Sequence, residues 1–239
     1  MADTVKLNKK PLMIAHRGTS GLECENTAAA FVAAGNRSYY GIETDVHITA
    51  DGRPIIIHDD VTDRVSLSKL SVEGSTFDEL RSIVLLDKDG EPRGDLRLPT
   101  LEEYLKLCKR YDKYAVLELK NPMKQQDIET IVSAVKNCYS VEKMIFISFS
   151  YENMVILRSL LPDAKLQFLC TCEIDGALVE KLLAHGLDLD IHYSRINKSA
   201  VELLHSHGIA VNCWTCDQKE DGEYLTECGV DFITSNILE

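Results

Sequence analysis

Short apolar runs recur along this chain, and between them apolar residues return every three or four positions. The first signature belongs to buried strands and the second to helices that lay one face on a core. Pro11–Ala15 reads as a strand that stops abruptly at His16-Arg17-Gly18. Ala28–Ala34 reads as a helix, with Asn26 or Thr27 as its N-cap and Gly35 at its end. Gly41–His58 reads as a hairpin, because Asp51-Gly52 is a strong turn signal between two β-branched runs. From Asp59 to Pro99 the periodicity fades, with a helical turn or two expected only around Phe77–Ile83. Thr100 then caps an amphipathic helix carrying Leu101, Tyr104, Leu105 and Cys108 on one face, with Glu103 at the capping-box position.

Beyond that helix the alternation becomes regular. Strands are expected at Ala115–Leu119, Met144–Phe149, Leu166–Leu169, Leu187–Ile191, Ile209–Trp214 and Asp231–Thr234. Helices are expected at Asp127–Asn137, Tyr151–Leu161, Gly176–His185, Lys198–His207 and Gln218–Cys228. Apolar strands alternating with helices signal a parallel sheet covered on both faces. If Pro54–His58 is only the return arm of the hairpin, eight strands remain, which points to a closed (β/α)8 TIM barrel. No glycine-rich dinucleotide fingerprint follows the first strand, which counts against an open doubly wound sheet. Residues 1–239 are therefore expected to form one barrel domain, with 59–99 as a small insertion over the mouth.

Polar residues that break this pattern fall at the C-terminal ends of strands, where barrels carry their chemistry. Glu43 and Asp45 are two apart and share a strand face, opposite Ile42, Thr44 and Val46. Two carboxylates on an otherwise apolar strand repel each other unless a cation or water reaches them. Glu118 and Lys120 form a second such pair, His16 and Arg17 follow the first strand, and the hairpin returns His58 towards Glu43. The set Glu43, Asp45 and Glu118 is all oxygen, which suits Mg2+ or Ca2+ rather than zinc. Arg17 and Lys120 supply fixed positive charge for phosphate oxygens, and His16 and His58 can exchange protons near neutral pH. Trp214, the only tryptophan, ends the seventh strand. Together these groups describe phosphodiester cleavage. His47 and Asp59 read as lying on the opposite face or beyond the cluster.

Bulk composition narrows the partners. The chain has 239 residues and a net charge of −12, which opposes binding to nucleic acid or anionic membrane faces but leaves room for a small anionic substrate. No apolar run approaches the ~20 residues of a membrane helix, and the N-terminus has no signal-peptide core, so a cytoplasmic protein without membrane insertion is expected. Eight cysteines then read as free thiols. Cys170-Thr-Cys172 and Cys213-Trp-Thr-Cys216 have no glycine-rich knuckle, so buried thiols are preferred to a zinc site.

His16-Arg17-Gly18, Glu25-Asn26-Thr27, Glu43-x-Asp45-Val46, the Asp51-Gly52 turn, Ile57-His58-Asp59, Leu117-Glu118-Leu119-Lys120 and Trp214-Thr215 resemble the glycerophosphodiester phosphodiesterase family. The resemblance runs from Leu12 to Thr234. It implies a (β/α)8 barrel with a small insertion after the second strand, and a divalent metal on Glu43, Asp45 and Glu118. It also implies His16 and His58 as the acid–base pair, phosphate contacts from Arg17 and Lys120, and Trp214 lining the pocket. Three positions depart from the family pattern. Cys24 stands for the usual proline, Trp214-Thr215 continues with Cys216-Asp217 rather than valine and asparagine, and Ile233-Thr234-Ser235-Asn236 lacks the usual Thr-Asp-x-Pro.

The implied activity is metal-dependent hydrolysis of a small-molecule glycerophosphodiester to sn-glycerol 3-phosphate and an alcohol. Two alternatives stay open from sequence. One is a related enzyme that forms a cyclic phosphate or acts on lysophospholipids; the other is a non-catalytic barrel that only binds a phosphate ligand. The preferred alcohol, the choice of Mg2+ or Ca2+ and the oligomeric state are not written in the sequence.

Overall fold

The computed structural model describes residues 3–9 and 11–239. Its elements run β1 (Leu12–Ala15), α1 (Ala28–Gly35), β2 (Gly41–Ile48), β3 (Pro54–Ile56), α2 (Phe77–Ser82), β4 (Leu85–Leu86), β5 (Pro92–Arg93) and α3 (Leu101–Arg110). Then follow β6 (Tyr114–Leu119), α4 (Gln125–Cys138), β7 (Met144–Ser148), α5 (Tyr151–Leu160), β8 (Lys165–Cys170) and α6 (Gly176–Leu183). The chain ends with β9 (Asp188–His192), α7 (Lys198–Ser206), β10 (Val211–Trp214), α8 (Lys219–Cys228) and β11 (Phe232–Ser235).

Strands β1, β2, β6, β7, β8, β9, β10 and β11 pair in parallel, and β1 closes the ring by pairing with both β11 and β2. The result is the expected (β/α)8 TIM barrel. β3 lies antiparallel on β2, with Val46 opposite Ile56 and Ile48 opposite Pro54, so Pro54–Ile56 is the hairpin arm and not a stave.

Alternation explains the two cores. Ile42, Val46, Leu117 and Leu119 point outwards and pack with the helices, while Ile14, Val116, Ile145, Ile147, Leu169 and Phe232 fill the barrel interior. α3 buries Leu101, Tyr104, Leu105 and Cys108, and Thr100 and Glu103 form the expected capping box. Thr27 caps α1 by accepting from Ala30 N.

The weakly patterned segment has more structure than its sequence announces. α2 forms where the short helix was expected, but β4 and β5 make a two-stranded hairpin that no periodicity marked. This segment shares a small core with the hairpin arm: Ile55 and Ile57 from the arm, with Val72, Phe77, Leu80, Ile83, Leu85, Leu96 and Leu98. Arg81 ties it to the barrel wall through paired bonds of 2.9 Å to Glu103 on α3.

Candidate active site

β1 ends inside the ring, and the backbone then turns sharply. Arg17 adopts φ 52° and Gly18 φ 75°. Only glycine fits at 18: a Cβ would lie 2.6 Å from the Ala30 carbonyl carbon, so α1 could not approach. The turn aims the Arg17 backbone N–H at Glu43 Oε2, 2.7 Å away. Glu43 and Asp45 project into the barrel from β2, and Glu118 stands beside Asp45 in register on β6. All three are buried, and they offer oxygens within 4.8 Å of one another. Among the described residues this is the one His/Cys/Asp/Glu set gathered closely enough to hold a metal ion.

The donor set fits a hard divalent cation. It is all carboxylate oxygen, and Asp45 Oδ1 is buried without a hydrogen-bond donor. Lys120 Nζ lies 2.7 Å from Glu118 Oε1 and 3.5 Å from Asp45 Oδ1, and Arg17 Nε lies 3.5 Å from Asp45 Oδ2. Asn26 Nδ2 donates to the same Oδ2 at 2.7 Å. Burial pushes Glu43 well above the ordinary carboxyl range, and the neighbouring Asp45 and Glu118 add to it. Burial and Asp45 likewise raise Glu118 to about 7, against the pull of Lys120. Asp45 goes the other way: burial would raise it, but Lys120, Arg17 and His58 together hold it down at about 2. Crowding three carboxyls beside two cations therefore leaves Glu43 and Glu118 resisting ionisation while Asp45 stays charged.

The two histidines are held differently. His16 Nδ1 lies 2.7 Å from Asn236 Oδ1. The Asn236 amide is oriented by Asp217, whose Oδ2 accepts from Asn236 Nδ2 at 2.6 Å and whose Oδ1 accepts from Ser235 Oγ at 2.9 Å. Oδ1 can only accept, so His16 carries its proton on Nδ1 and leaves Nε2 with a lone pair. Burial, aided by Arg17, pushes its pKa down to about 4, against the Asn236 bond. His58 Nδ1 instead meets a carboxylate, Asp59 Oδ1, at 2.6 Å. Burial lowers its pKa too; Asp45 opposes that, Arg17 and Lys120 reinforce it, and the Asp59 bond opposes it. Arg64 Nε donates to Asp59 Oδ2 at 2.5 Å and pairs bidentately with Glu25 at 2.8 Å, and Glu25 also accepts from Arg17.

The structure brings the expected residues to one mouth. His16, Arg17, Glu43, His58, Glu118 and Trp214 line a single cavity, Asp45 lies buried behind them, and Lys120 sits at its edge beside Glu118. The Trp214 ring meets Phe149 and His192 edge-on, with centroids 5.6 and 5.4 Å away. Two residues set aside at the sequence level take part. Asp59 orients His58, and a carboxylate adjacent to a histidine was the available signal. His47 is two residues past Asp45, so alternation returns it to the same face, where its buried Nε2 lies 3.2 Å from the His58 carbonyl. Asn236 figured in the sequence only as part of an altered family ending, and nothing local marks it as the partner of His16. Two of the three departures from the family pattern are linked in space: Asp217 bonds both Ser235 and Asn236, while Cys24 Sγ faces Leu86 O and Asp87 Oδ1. Cys213 and Cys216 are buried, and their Sγ atoms face the carbonyls of Phe232 and Gln218.

A parallel barrel with carboxylates, cations and imidazoles at the C-terminal ends of its strands is the architecture of a barrel enzyme. This one belongs to the glycerophosphoryl diester phosphodiesterase family, whose sequence profile matches residues 16–238. The chain is 31% identical over 229 residues to a glycerophosphodiester phosphodiesterase of Caldanaerobacter subterraneus subsp. tengcongensis, covering 95% of this chain and 94% of that one. Among solved structures it is similar to an Oleispira antarctica phosphodiesterase in complex with the product sn-glycerol-3-phosphate, at TM-score 0.87 and 26% identity over 95% of this chain and 94% of that one. It also resembles a glycerophosphodiester phosphodiesterase from Parabacteroides distasonis, at TM-score 0.79 and 27% identity over 98% and 94% of the two chains.

Proposed function

We propose that this enzyme hydrolyses glycerophosphodiesters to sn-glycerol 3-phosphate and an alcohol, in a metal-dependent reaction with two histidines moving the protons. The observation that carries this reading is the gathering of Glu43, Asp45 and Glu118 between Arg17 and Lys120, with both imidazoles on the same cavity. Arg17 and Lys120 bind and orient the phosphate, the guanidinium by its planar fork and the ammonium as a point charge. When bound at the three carboxylates, Mg2+ or Ca2+ supplies charge neutralisation and polarises a phosphoryl oxygen. His16, neutral with Nε2 open, takes the proton of the attacking group. His58, whose imidazolium form is favoured by Asp59, gives a proton to the leaving alcohol. Trp214 walls the pocket.

The chain works as one barrel unit, with residues 59–99 an insertion at the rim whose Arg64 holds Asp59 behind His58. Eight unpaired thiols suit a reducing compartment such as the cytoplasm.

Glycerophosphocholine is the substrate for the test, with products followed by phosphorus NMR, before and after chelation and with Mg2+ or Ca2+ restored. The expected product is sn-glycerol 3-phosphate, lost on chelation. His16→Gln and His58→Gln should each lower kcat by about 10²–10⁴-fold with an unchanged melting temperature. No turnover by the wild type overturns the activity, chelator-insensitive turnover overturns the metal site, and near-normal histidine variants overturn the proton carriers.

A further inference from the structure

The barrel interior holds one more acid. Asp190 lies in the middle of β9, between Leu169 on β8 and Asn212 on β10 in register, and is only 1% exposed. It lines the same cavity as His16, Glu118 and Trp214. Its Oδ1 is buried and has no hydrogen-bond partner among the described residues. The polar side chains beside it are engaged elsewhere: Asn212 Nδ2 donates to Gln167 Oε1 at 3.0 Å, and Asn212 Oδ1 accepts from Thr234 Oγ1 at 3.2 Å. A buried acid kept for packing is ordinarily satisfied by its neighbours, so an orphan on a cavity wall points to a ligand. The same cavity wall includes Trp214, whose Nε1–H is also buried without an acceptor.

One orphan acceptor and one orphan donor on a single cavity specify the ligand chemistry. A hydroxyl answers both, donating to a carboxylate and accepting from an indole N–H. An alkyl group answers neither, and an ionised phosphate brings no proton for the orphan acceptor. In the reading above the phosphate already has Arg17 on this cavity and Lys120 at its edge. We propose that Asp190 is a specificity-determining residue that hydrogen-bonds a hydroxyl of the substrate's polyol moiety, with Trp214 Nε1–H as the second contact to that moiety. Burial raises the Asp190 carboxyl well above its ordinary range, and a protonated carboxyl pairs with a hydroxyl as readily as an ionised one. The inference rests on the phosphodiesterase reading above and adds what that reading lacks, the group that tells a polyol from any other phosphate ester.

Binding separates the two claims. In calorimetry on the wild type with metal present, sn-glycerol 3-phosphate should bind at least about tenfold more tightly than propyl phosphate, which has the same chain without hydroxyls. Equal affinities overturn the proposal, whether or not the enzyme turns over glycerophosphocholine. Asp190→Ala should weaken sn-glycerol 3-phosphate by about 10–100-fold and leave inorganic phosphate within about twofold. Its kcat/KM on glycerophosphocholine should fall mainly through KM, with bis(4-nitrophenyl) phosphate unaffected, and Asp190→Asn should recover most of the loss. Equal losses on both substrates, or on both ligands, make Asp190 a structural acid and sink the idea. If Asp190→Ala does not fold, the wild-type comparison of the two ligands decides alone.

Discussion

At the scale of single residues, the two imidazoles differ because one leans on an amide and the other on a carboxylate. Burial leaves the His58 pKa below its ordinary value, and the Asp59 bond is one of the contacts that limit the fall. Asparagine keeps the contact but cannot stabilise imidazolium, so Asp59→Asn should lower the His58 pKa further. The alkaline limb of kcat/KM, which marks loss of the proton donor, then moves to lower pH, and kcat falls by roughly tenfold or more. A pH–rate profile of the variant checks this; an unmoved limb would remove Asp59 from the proton path. The residues proposed to hold phosphate and metal were legible because chemistry restricts them to few types at strand ends. Their supports were less so. Asp59 and His47 sit in plain view in the sequence, and alternation alone carries His47 to the working face. Asn236 and Asp217 come together only when β10 and β11 pair, and no spacing within one element encodes that meeting.

Among the elements, the staves were legible because each is buried on both faces and reads as an apolar run, and helices α3 to α8 because one face of each is wetted. Boundaries moved by a residue or two, as at β10, which begins at Val211, and α4, which starts at Gln125. The β4–β5 hairpin was illegible for a physical reason. Its two-residue strands are too short to show a period, and they are fixed from outside, by Leu86 N to Val65 O at 2.9 Å and the Ser66–Leu85 bridge. The insertion is coupled to the wall at α3, where Glu103 both closes the capping box and receives Arg81. Thr100→Ala removes the acceptor for Glu103 N, 3.1 Å away, and should cost about 1 kcal/mol. Urea denaturation should show this as a lower midpoint with an unchanged slope; an unaltered midpoint would mean that the cap adds nothing to what packing already secures.

At the scale of the whole molecule, the barrel is seamed by its two extremities. Val5 pairs in parallel with Leu238, and the buried Glu239 side chain accepts from Ser38 N at 2.5 Å and from Thr4 Oγ1. Burial would raise that carboxyl, but the Ser38 and Thr4 bonds outweigh it and hold it at about 2, below its ordinary 4.5. Its contribution is therefore full above about pH 4.5 and drains away as pH falls towards 2. Glu239→Gln should be less stable by about 1–3 kcal/mol at pH 7, with the gap narrowing on acidification; chemical denaturation at pH 7 and pH 3 measures it, and a gap independent of pH would contradict the assignment. No helix of the described residues is long and apolar enough to cross a membrane. At the rim, Arg64 grips Asp59 with one edge and Glu25 with the other, while Glu25 also holds Arg17. One surface side chain is therefore the common anchor of two loops that carry different tools of the proposed site. Drift at that single codon would disturb both tools together, so lineages should keep or replace this pairing as a block instead of remodelling either loop by itself.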